Sequence, residues 1–492
     1  MRPKVDGWFT KVRPLRAGAI ALAAGSVLIA SPAMAQQDTR RIERQLRTSE
    51  AGDFRVRVDT SLTLAERTQF DYGGFVSLTG IWLNDSNENS RRLIQPEVAL
   101  YARASLDGVH TVFVRSRFPY RSFSAGDSFD GRGDRWIEPF LDRYVYTFDL
   151  RRALEAYQGM STDFNLNLSV GRQFVDWGAG LALSETLYAV RPVIELSRQF
   201  KIDTLVGLTP EHTADFDASR FNSDEKTRRS YIGVKPTYTF RNGTEVYAFA
   251  LIMRDHYADT RGRPPIPSTL VVDFRTNAEY WGLGGSGSLG PDLLWQLEGI
   301  FQTGSSNSDP FRDPLGQQSK QDIYAGAARG QLTWLVRDAA RSRVQGEVLM
   351  FTGDGDRNVT TDTIGGNRRF TNDEAFNSLG FANTGLAFAP ALSNLISTRL
   401  GASTFPLAGN DVFDQLQLGA DLLLFNKYTS RGAIDQPSRD ASFLGTELDL
   451  YANWRITGDL AVQARYGVFF PGAGLQNRDT RHFLLLGVTL SF

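Results

Sequence analysis

The chain has 492 residues, no Cys, 54 Lys and Arg against 55 Asp and Glu, and a formal net charge of −1. This excludes disulfide support and thiolate metal centres, and it leaves no basic excess for a nucleic-acid partner. After the first 35 residues no apolar run approaches the ~18 residues of a transmembrane helix, and mean hydropathy is mild at -0.27.

The N-terminus reads as a secretory signal peptide over residues 1–35. Arg2, Lys4, Lys11, Arg13 and Arg16 form a basic region, Ala17 to Ala30 is apolar but short, and Ala33-Met34-Ala35 fits the small-x-small cleavage rule. Its removal takes the formal charge from −1 to −5. Residues 36–69 read as a polar periplasmic lead-in, with a short alternating stretch at Phe54, Val56 and Val58.

From Phe70 the chain alternates apolar and polar residues with period two, the pattern of a strand with one apolar face. Eighteen such stretches are predicted, near 70–83, 93–106, 109–117, 140–150, 163–174, 186–197, 200–209, 230–240, 245–255, 275–289, 293–304, 321–336, 342–353, 394–405, 412–426, 442–456, 460–470 and 481–492. An even number places both ends of a barrel on one side of a membrane. Asp107-Gly108, Asn242-Gly243, Gly290-Pro291-Asp292 and Thr457-Gly458-Asp459 supply tight turns at one end. The long polar connections 118–139, 210–229, 256–274, 305–320, 354–393, 427–441 and 471–480 fall at the other, in strict alternation with short turns.

The C-terminal stretch is the clearest of the eighteen. Leu484, Leu486, Val488, Leu490 and Phe492 form one apolar register, opposite the small residues Gly487, Thr489 and Ser491. Such an edge must pair, and a barrel pairs it with the first strand. A terminal Phe492 also resembles the signal read by the barrel-assembly machinery of bacterial outer membranes. Phe240, Trp295, Trp334, Trp454 and Phe492 share the apolar register near short turns or the C-terminus, as an interfacial girdle would. The expected fold is therefore an all-β transmembrane antiparallel β-barrel over residues 70–492. Its setting is the outer membrane of a Gram-negative bacterium, among lipid and lipopolysaccharide.

With the apolar register toward lipid, the other register faces the lumen. Val98, Leu100, Ala102 and Ala104 point out and Arg103 in; Val112 and Val114 out, Arg115 and Arg117 in; Tyr144, Tyr146 and Phe148 out, Arg143 and Asp149 in. Lys235 lies inside between Thr237 and Thr239, and later strands add Glu298, Arg329, Glu347, Arg399, Asp421, Glu447, Asp449, Arg455 and Arg465. A basic side chain on the lipid face near the midplane costs ~2–4 kcal/mol, so nine of them facing out would exceed the ~5–15 kcal/mol net stability of a fold. The lining reads either as a conduit biased toward anions or as arginine–carboxylate pairs that stiffen the wall.

Four stretches resemble the alginate-export family of outer-membrane barrels. They are Gly171-Arg172-Gln173 with Trp177-Gly178; Leu297-Glu298-Gly299-Ile300-Phe301-Gln302-Thr303-Gly304; Phe351-Thr352-Gly353-Asp354; and Leu444-Gly445-Thr446-Glu447-Leu448-Asp449-Leu450 followed by Phe469-Phe470-Pro471-Gly472. The resemblance implies an eighteen-stranded barrel, a positive lumen, loops that cap the pore, and outward passage of a polyuronate. The inward acids Glu298, Glu447 and Asp449 depart from that positive ring.

The function read here is a monomeric, cofactor-free channel that passes an anionic oligo- or polysaccharide by diffusion. Arg103, Arg115, Arg117, Arg143, Lys235, Arg329, Arg399 and Arg465 would draw the solute, beside Glu298, Glu447 and Asp449. The alternatives are an uptake porin for small solutes and a plugged barrel that docks a periplasmic or surface partner. Loop 354–393, the longest, would gate or plug the pore. Asp127, Asp130, Asp134, Asp354 and Asp356 read as solvated loop rather than a Ca²⁺ site. Catalysis is not expected: the four His show no metal-ligand spacing and no nucleophile elbow occurs. A hydrolytic site at the rim near His212 and His256 is the remaining enzymatic option. Ser286, within Gly284–Ser288, reads as close backbone packing.

Overall fold

The computed structural model describes residues 61–85, 89–124, 133–223, 225–257, 260–264, 266–267 and 270–492. The signal peptide, most of the lead-in, Asp127 and Asp130 lie outside these residues. Ser61 onward leads through one helical turn, Leu64–Arg67, into the first strand.

Eighteen strands form one closed antiparallel ring: β1 (Thr68–Asn84), β2 (Ser90–Leu106), β3 (His110–Phe123), β5 (Leu141–Asp149), β6 (Asn165–Trp177), β7 (Leu183–Glu195), β8 (Phe200–Leu208), β9 (Arg229–Thr239), β10 (Glu245–Asp255), β11 (Asn277–Leu289), β12 (Leu293–Asn307), β13 (Lys320–Leu335), β14 (Arg343–Phe351), β15 (Leu395–Thr404), β16 (Leu416–Asn426), β17 (Phe443–Arg455), β18 (Leu460–Pro471) and β19 (Arg481–Ser491). The two-residue β4 (Arg135–Trp136) adds only to the outer end of β3. Each predicted strand has its counterpart, including the one that contains Pro192, which sits opposite Leu168 in β7.

The seam joins β1 to β19, with Phe75 opposite Ser491 and Leu83 opposite Phe483. Gly74 and Phe492 exchange both backbone hydrogen bonds, at 2.9 and 3.0 Å, so every edge is paired. Outward residues such as Leu100, Val112, Leu283, Leu332, Leu422 and Val488 are exposed to the bilayer, while their sequence neighbours are turned inward. Phe240, Trp334 and Phe492 are exposed at the periplasmic end. Trp295 lies across Gly285 and Gly287 there, and Trp454 stacks on Phe413 at 4.8 Å.

The connections break the expected strict alternation in four places. Two outer turns are short, 85–89 and 178–182, while two periplasmic ones are long, 150–164 and 405–415. The former of the long pair holds a helix over Leu150–Ala153 that continues through Leu154–Gln158. Asp149 accepts the Arg152 N–H at 3.0 Å as its N-cap, so it closes a turn rather than standing in the lumen. Arg455 likewise ends its strand exposed, donating to the Gly458 carbonyl at 3.1 Å. In β11, the Phe249 and Tyr247 rings lie against Gly282 and Gly284, which accounts for the Gly-rich run around Ser286 by packing.

Candidate functional site in the lumen

A wide barrel needs something inside it, or its lumen stays open. Among the described residues two segments reach across the lumen. The 178–182 turn reaches across to β12 and β13. The Ala179 N–H donates to Glu298 Oε2 at 2.5 Å, Tyr247 Oη donates to the same oxygen at 2.7 Å, and Arg329 donates to the Ala179 carbonyl at 3.3 Å.

The long 352–394 loop then lies over that turn. It starts against β13, where the backbones of Tyr324, Asp373 and Asp322 exchange bonds. It passes β12 and β11, where Asn377 N–H meets Gln302 at 2.9 Å and the Asn377 carbonyl accepts Tyr280 Oη at 2.7 Å. It reaches the 178–182 turn, where Ser184 N–H bonds the Leu379 carbonyl and Phe381 N–H the Gly180 carbonyl. A Cβ at Gly380 would strike the Gly180 and Leu181 carbonyls, so only glycine permits this approach. The loop next crosses to β17 on the other side of the ring. There Glu447, 0% exposed, accepts three successive N–H groups, from Leu386 at 2.5 Å, Ala387 at 2.6 Å and Phe388 at 2.9 Å. From Phe381 to Leu386 the chain can span at most about 18 Å, so the two anchors pinch the lumen between them.

Apolar packing seals this side. Phe388 stacks on Phe469 at 4.3 Å and meets Phe425 at 5.1 Å. Trp177, Leu181, Tyr231, Tyr280, Ile300, Ile323, Leu349, Phe376 and Leu379 belong to the same continuous cluster. Among the described residues this cluster draws nothing from β19, β1, β2, β3 or β5.

The predicted lining residues divide accordingly. Glu298 and Glu447 hold the inserted segments through backbone N–H groups. Asp449 is 3% exposed beside them, against Gly467. Arg329 and Arg399 both bond Glu347, each at 2.7 Å, and Arg399 also faces Asp421 at 3.7 Å. Lys235 sits 4.0 Å from Asp203, 5.3 Å from the Trp177 ring centre. Arg465 faces inward on β18, opposite Tyr451.

Arg103, Arg115, Arg117 and Arg143 instead come together on the arc outside the cluster. Cross-strand pairing sets Arg103 opposite Phe113, Tyr101 opposite Arg115, and Arg115 opposite Arg143. Arg143 lies over the Phe113 ring at 5.1 Å, and Tyr101 stacks on Phe113 at 6.0 Å. Arg115 pairs with Asp142 at 2.6 Å and Arg117 with Glu97 at 2.5 Å, whereas Arg103 forms no ion pair among the described residues. Sequence reasoning missed Arg121 and Arg135, which lie opposite each other at the outer mouth of this arc. It also missed Arg191, paired with Asp203, and the acids Glu97 and Asp142. The β3 alternation Arg115, Arg117, Arg121 carried the signal for the first of these.

The loop aspartates are structural. Asp354 is buried and accepts Asn367 Nδ2 at 2.8 Å and the Glu374 N–H at 3.0 Å, which replaces the solvated reading for that residue. Asp356 pairs with Arg312 and Arg368 at 3.4 Å, and Asp134 accepts the Phe123 N–H at 2.8 Å. His212 lies 3.8 Å from Glu138, and His256 bonds Ser230 Oγ at 2.7 Å, so the two rim histidines serve separate partners. At the outer end, two loops clasp each other. Asp362 accepts the Ala218 N–H at 2.7 Å, and Asp217 accepts the Thr363 N–H and hydroxyl at 3.1 and 2.6 Å. Burial, with Asp217 beside it, pushes the Asp362 carboxyl up to about 8.

The sequence profile for alginate export matches residues 188–486. The chain belongs to the alginate export family. It is thus an outer-membrane channel of the Gram-negative type, in keeping with its closed lipid-facing ring. No curated protein matches. Among solved structures, OccK5 (OpdH) of Pseudomonas aeruginosa aligns with a TM-score of 0.49 at 11% identity, over 86% of this chain and 98% of that one. OpdK of the same organism, solved with vanillate, gives 0.48 at 11% identity, over 86% and 99%. OccK9 (OpdG) gives 0.49 at 11%, over 88% and 100%.

Proposed function

We propose that this family member passes an anionic carbohydrate of the polyuronate kind outward by diffusion, along the β1–β5 arc. The observation that carries the reading is the division of the lumen. The inserted turn and loop occupy the wall from β7 to β18, and they use the acids Glu298 and Glu447 as anchors. The arc left outside the apolar cluster bears Arg103, Arg115, Arg117 and Arg143, rising toward Arg121 and Arg135. A polyanion moving there meets successive guanidinium groups: Arg103, with no ion pair among the described residues, can fork onto a carboxylate, while Arg115 and Arg117 would exchange Asp142 and Glu97 for one. Partial pairing with Glu97 and Asp142 keeps each contact weak enough to release. The stacked Tyr101 and Phe113 offer apolar faces to sugar rings between charges.

The test is single-channel conductance of the refolded mature protein in a planar bilayer under a KCl gradient, with polyuronate added to one side. An anion-selective reversal potential with block by polyuronate is the expected result. A large unselective conductance without block would make the protein a general uptake porin. No conductance even after removal of residues 354–393 would make it a plugged docking barrel.

A further inference from the structure

One arginine points the wrong way for a lumen. Arg172 lies in the outward register of β6, two residues from Val170, which faces lipid. Its cross-strand neighbours are Tyr144 on β5 and Tyr188 on β7, both outward and 37% and 38% exposed. The two phenol rings stand 6.4 Å apart, tilted by 37°. Arg172 is tucked among them, 9% exposed, with its guanidinium 5.8 Å from the Tyr188 ring centre. Its one hydrogen bond among the described residues is a long one, 3.4 Å, to the Leu141 carbonyl. Its Nε has no partner, and no carboxylate pairs with it there.

A cation on the lipid face is costly in hydrocarbon and nearly free at headgroup depth. The outward residues on either side set that depth. Leu166, Leu168 and Val170 lie below Arg172, and on β7 Val190, Pro192 and Ile194 lie below Tyr188. Beyond Arg172 and the two tyrosines only Phe174 on β6, Leu141 at the end of β5 and the polar Thr186 on β7 follow in the outward register, so Tyr144 and Tyr188 sit near the outer rim of the apolar band, where amphipathic rings belong. The phenol hydroxyls can donate outward, over a buried positive charge for which the described residues supply no carboxylate.

We propose that Tyr144, Arg172 and Tyr188 form a site for a phosphate of an outer-leaflet glycolipid, the lipid A class. The phosphate sits on the phenol hydroxyls with Arg172 beneath it, and the acyl chains lie along the apolar register below. The site faces away from the lumen, so it stands whether or not the carbohydrate reading does.

The full refolded barrel in detergent is titrated with bis-phosphorylated lipid A, and bound copies are counted by native mass spectrometry. Phosphate-free lipid A and inorganic phosphate form separate arms. One copy of the phosphorylated lipid should bind roughly tenfold more tightly than the phosphate-free form, the size of one charge-assisted bond. Arg172→Gln should remove that margin and leave single-channel conductance unchanged. Equal binding of both lipids to the wild-type protein would overturn the site, as would undiminished binding by a folded Arg172→Gln. Protection against heat by inorganic phosphate alone, as great as by lipid A, would overturn the lipid assignment. Should Arg172→Gln fail to fold, the wild-type arms still decide. Tyr188→Phe, which keeps the ring and removes a donor, should then weaken binding by a smaller factor, and no change would count against the site.

Discussion

The two halves of the inner wall carry similar residues and use them differently. On β12–β17, Glu298, Arg329, Glu347, Arg399 and Asp421 run side by side with alternating sign, and Glu447 beyond them holds a loop. On β2–β5, Arg115 and Arg117 hold Asp142 and Glu97 beside Arg103 and Arg143, and no inserted segment covers them among the described residues. The lesson is that a lumenal charge is not automatically a solute contact. A carboxylate can be committed to backbone N–H groups, whose unmet cost when buried is ~1–3 kcal/mol each.

The most direct way to break the contrast is to remove the inserted chain. Phe351 and Leu395 are already opposite each other in β14 and β15, so a short Gly-Ser bridge can replace residues 354–393. Conductance should then rise at least roughly threefold, and an unchanged value would deny the loop any place in the constriction. Loosening one anchor should do less. Glu447→Ala leaves three N–H groups without their acceptor, a loss of roughly 1–3 kcal/mol for each that stays buried. Open-state noise in single-channel records should grow, and Glu447→Gln, which keeps a carbonyl oxygen, should fall between.

A paired comparison sharpens the difference between walls. Arg103→Glu should move the reversal potential toward cations, lowering the anion preference roughly twofold or more, with little change in melting temperature. Arg399→Gln should do the reverse. It strips a partner from Glu347 and Asp421, costing roughly 1–3 kcal/mol, while the reversal potential stays near the wild-type value. If both variants shift selectivity equally, the two walls are not distinct.

The smallest effect concerns the outer clasp. Asp362, raised to about 8 by burial and by Asp217, holds its proton in the folded state at pH values where an unfolded chain would have lost it. Its contribution is therefore full below the ordinary carboxylate range, shrinks as pH climbs, and is lost as pH passes about 8. Gating noise should be greater at pH 8.5 than at pH 6, and Asp362→Asn should flatten that dependence. A pH-independent record from the wild-type channel would show that the clasp does not restrain the loop.

The strands were legible because period-two alternation is local, and tight turns such as Asp107-Gly108 and Asn242-Gly243 fix where each ends. The inner surface was legible in register but not in role. Nothing local marks Glu447 as the acceptor for Leu386, Ala387 and Phe388, because that pairing depends on a loop returning from sixty residues away. The short 178–182 turn was equally silent. Its Gly178 and Gly180 suit any tight turn, and only the close approach to Gly380 shows that it folds inward. Arg172 escaped for a different reason. Charges were assigned inward on energetic grounds, and that rule holds at the midplane but relaxes at the rim.

The loop that crosses from the 178–182 turn to β17 is also a strut. A ring of strands without internal support flattens easily when squeezed, but one braced from wall to wall keeps that chord fixed. Lateral pressure from the surrounding bilayer must then fall mainly on β1 through β5, which no inserted segment crosses among the described residues. The cross-section of the arginine arc is thereby the mechanically soft dimension of the barrel. Its width, rather than that of the packed side, will follow the thickness and tension of the membrane around it.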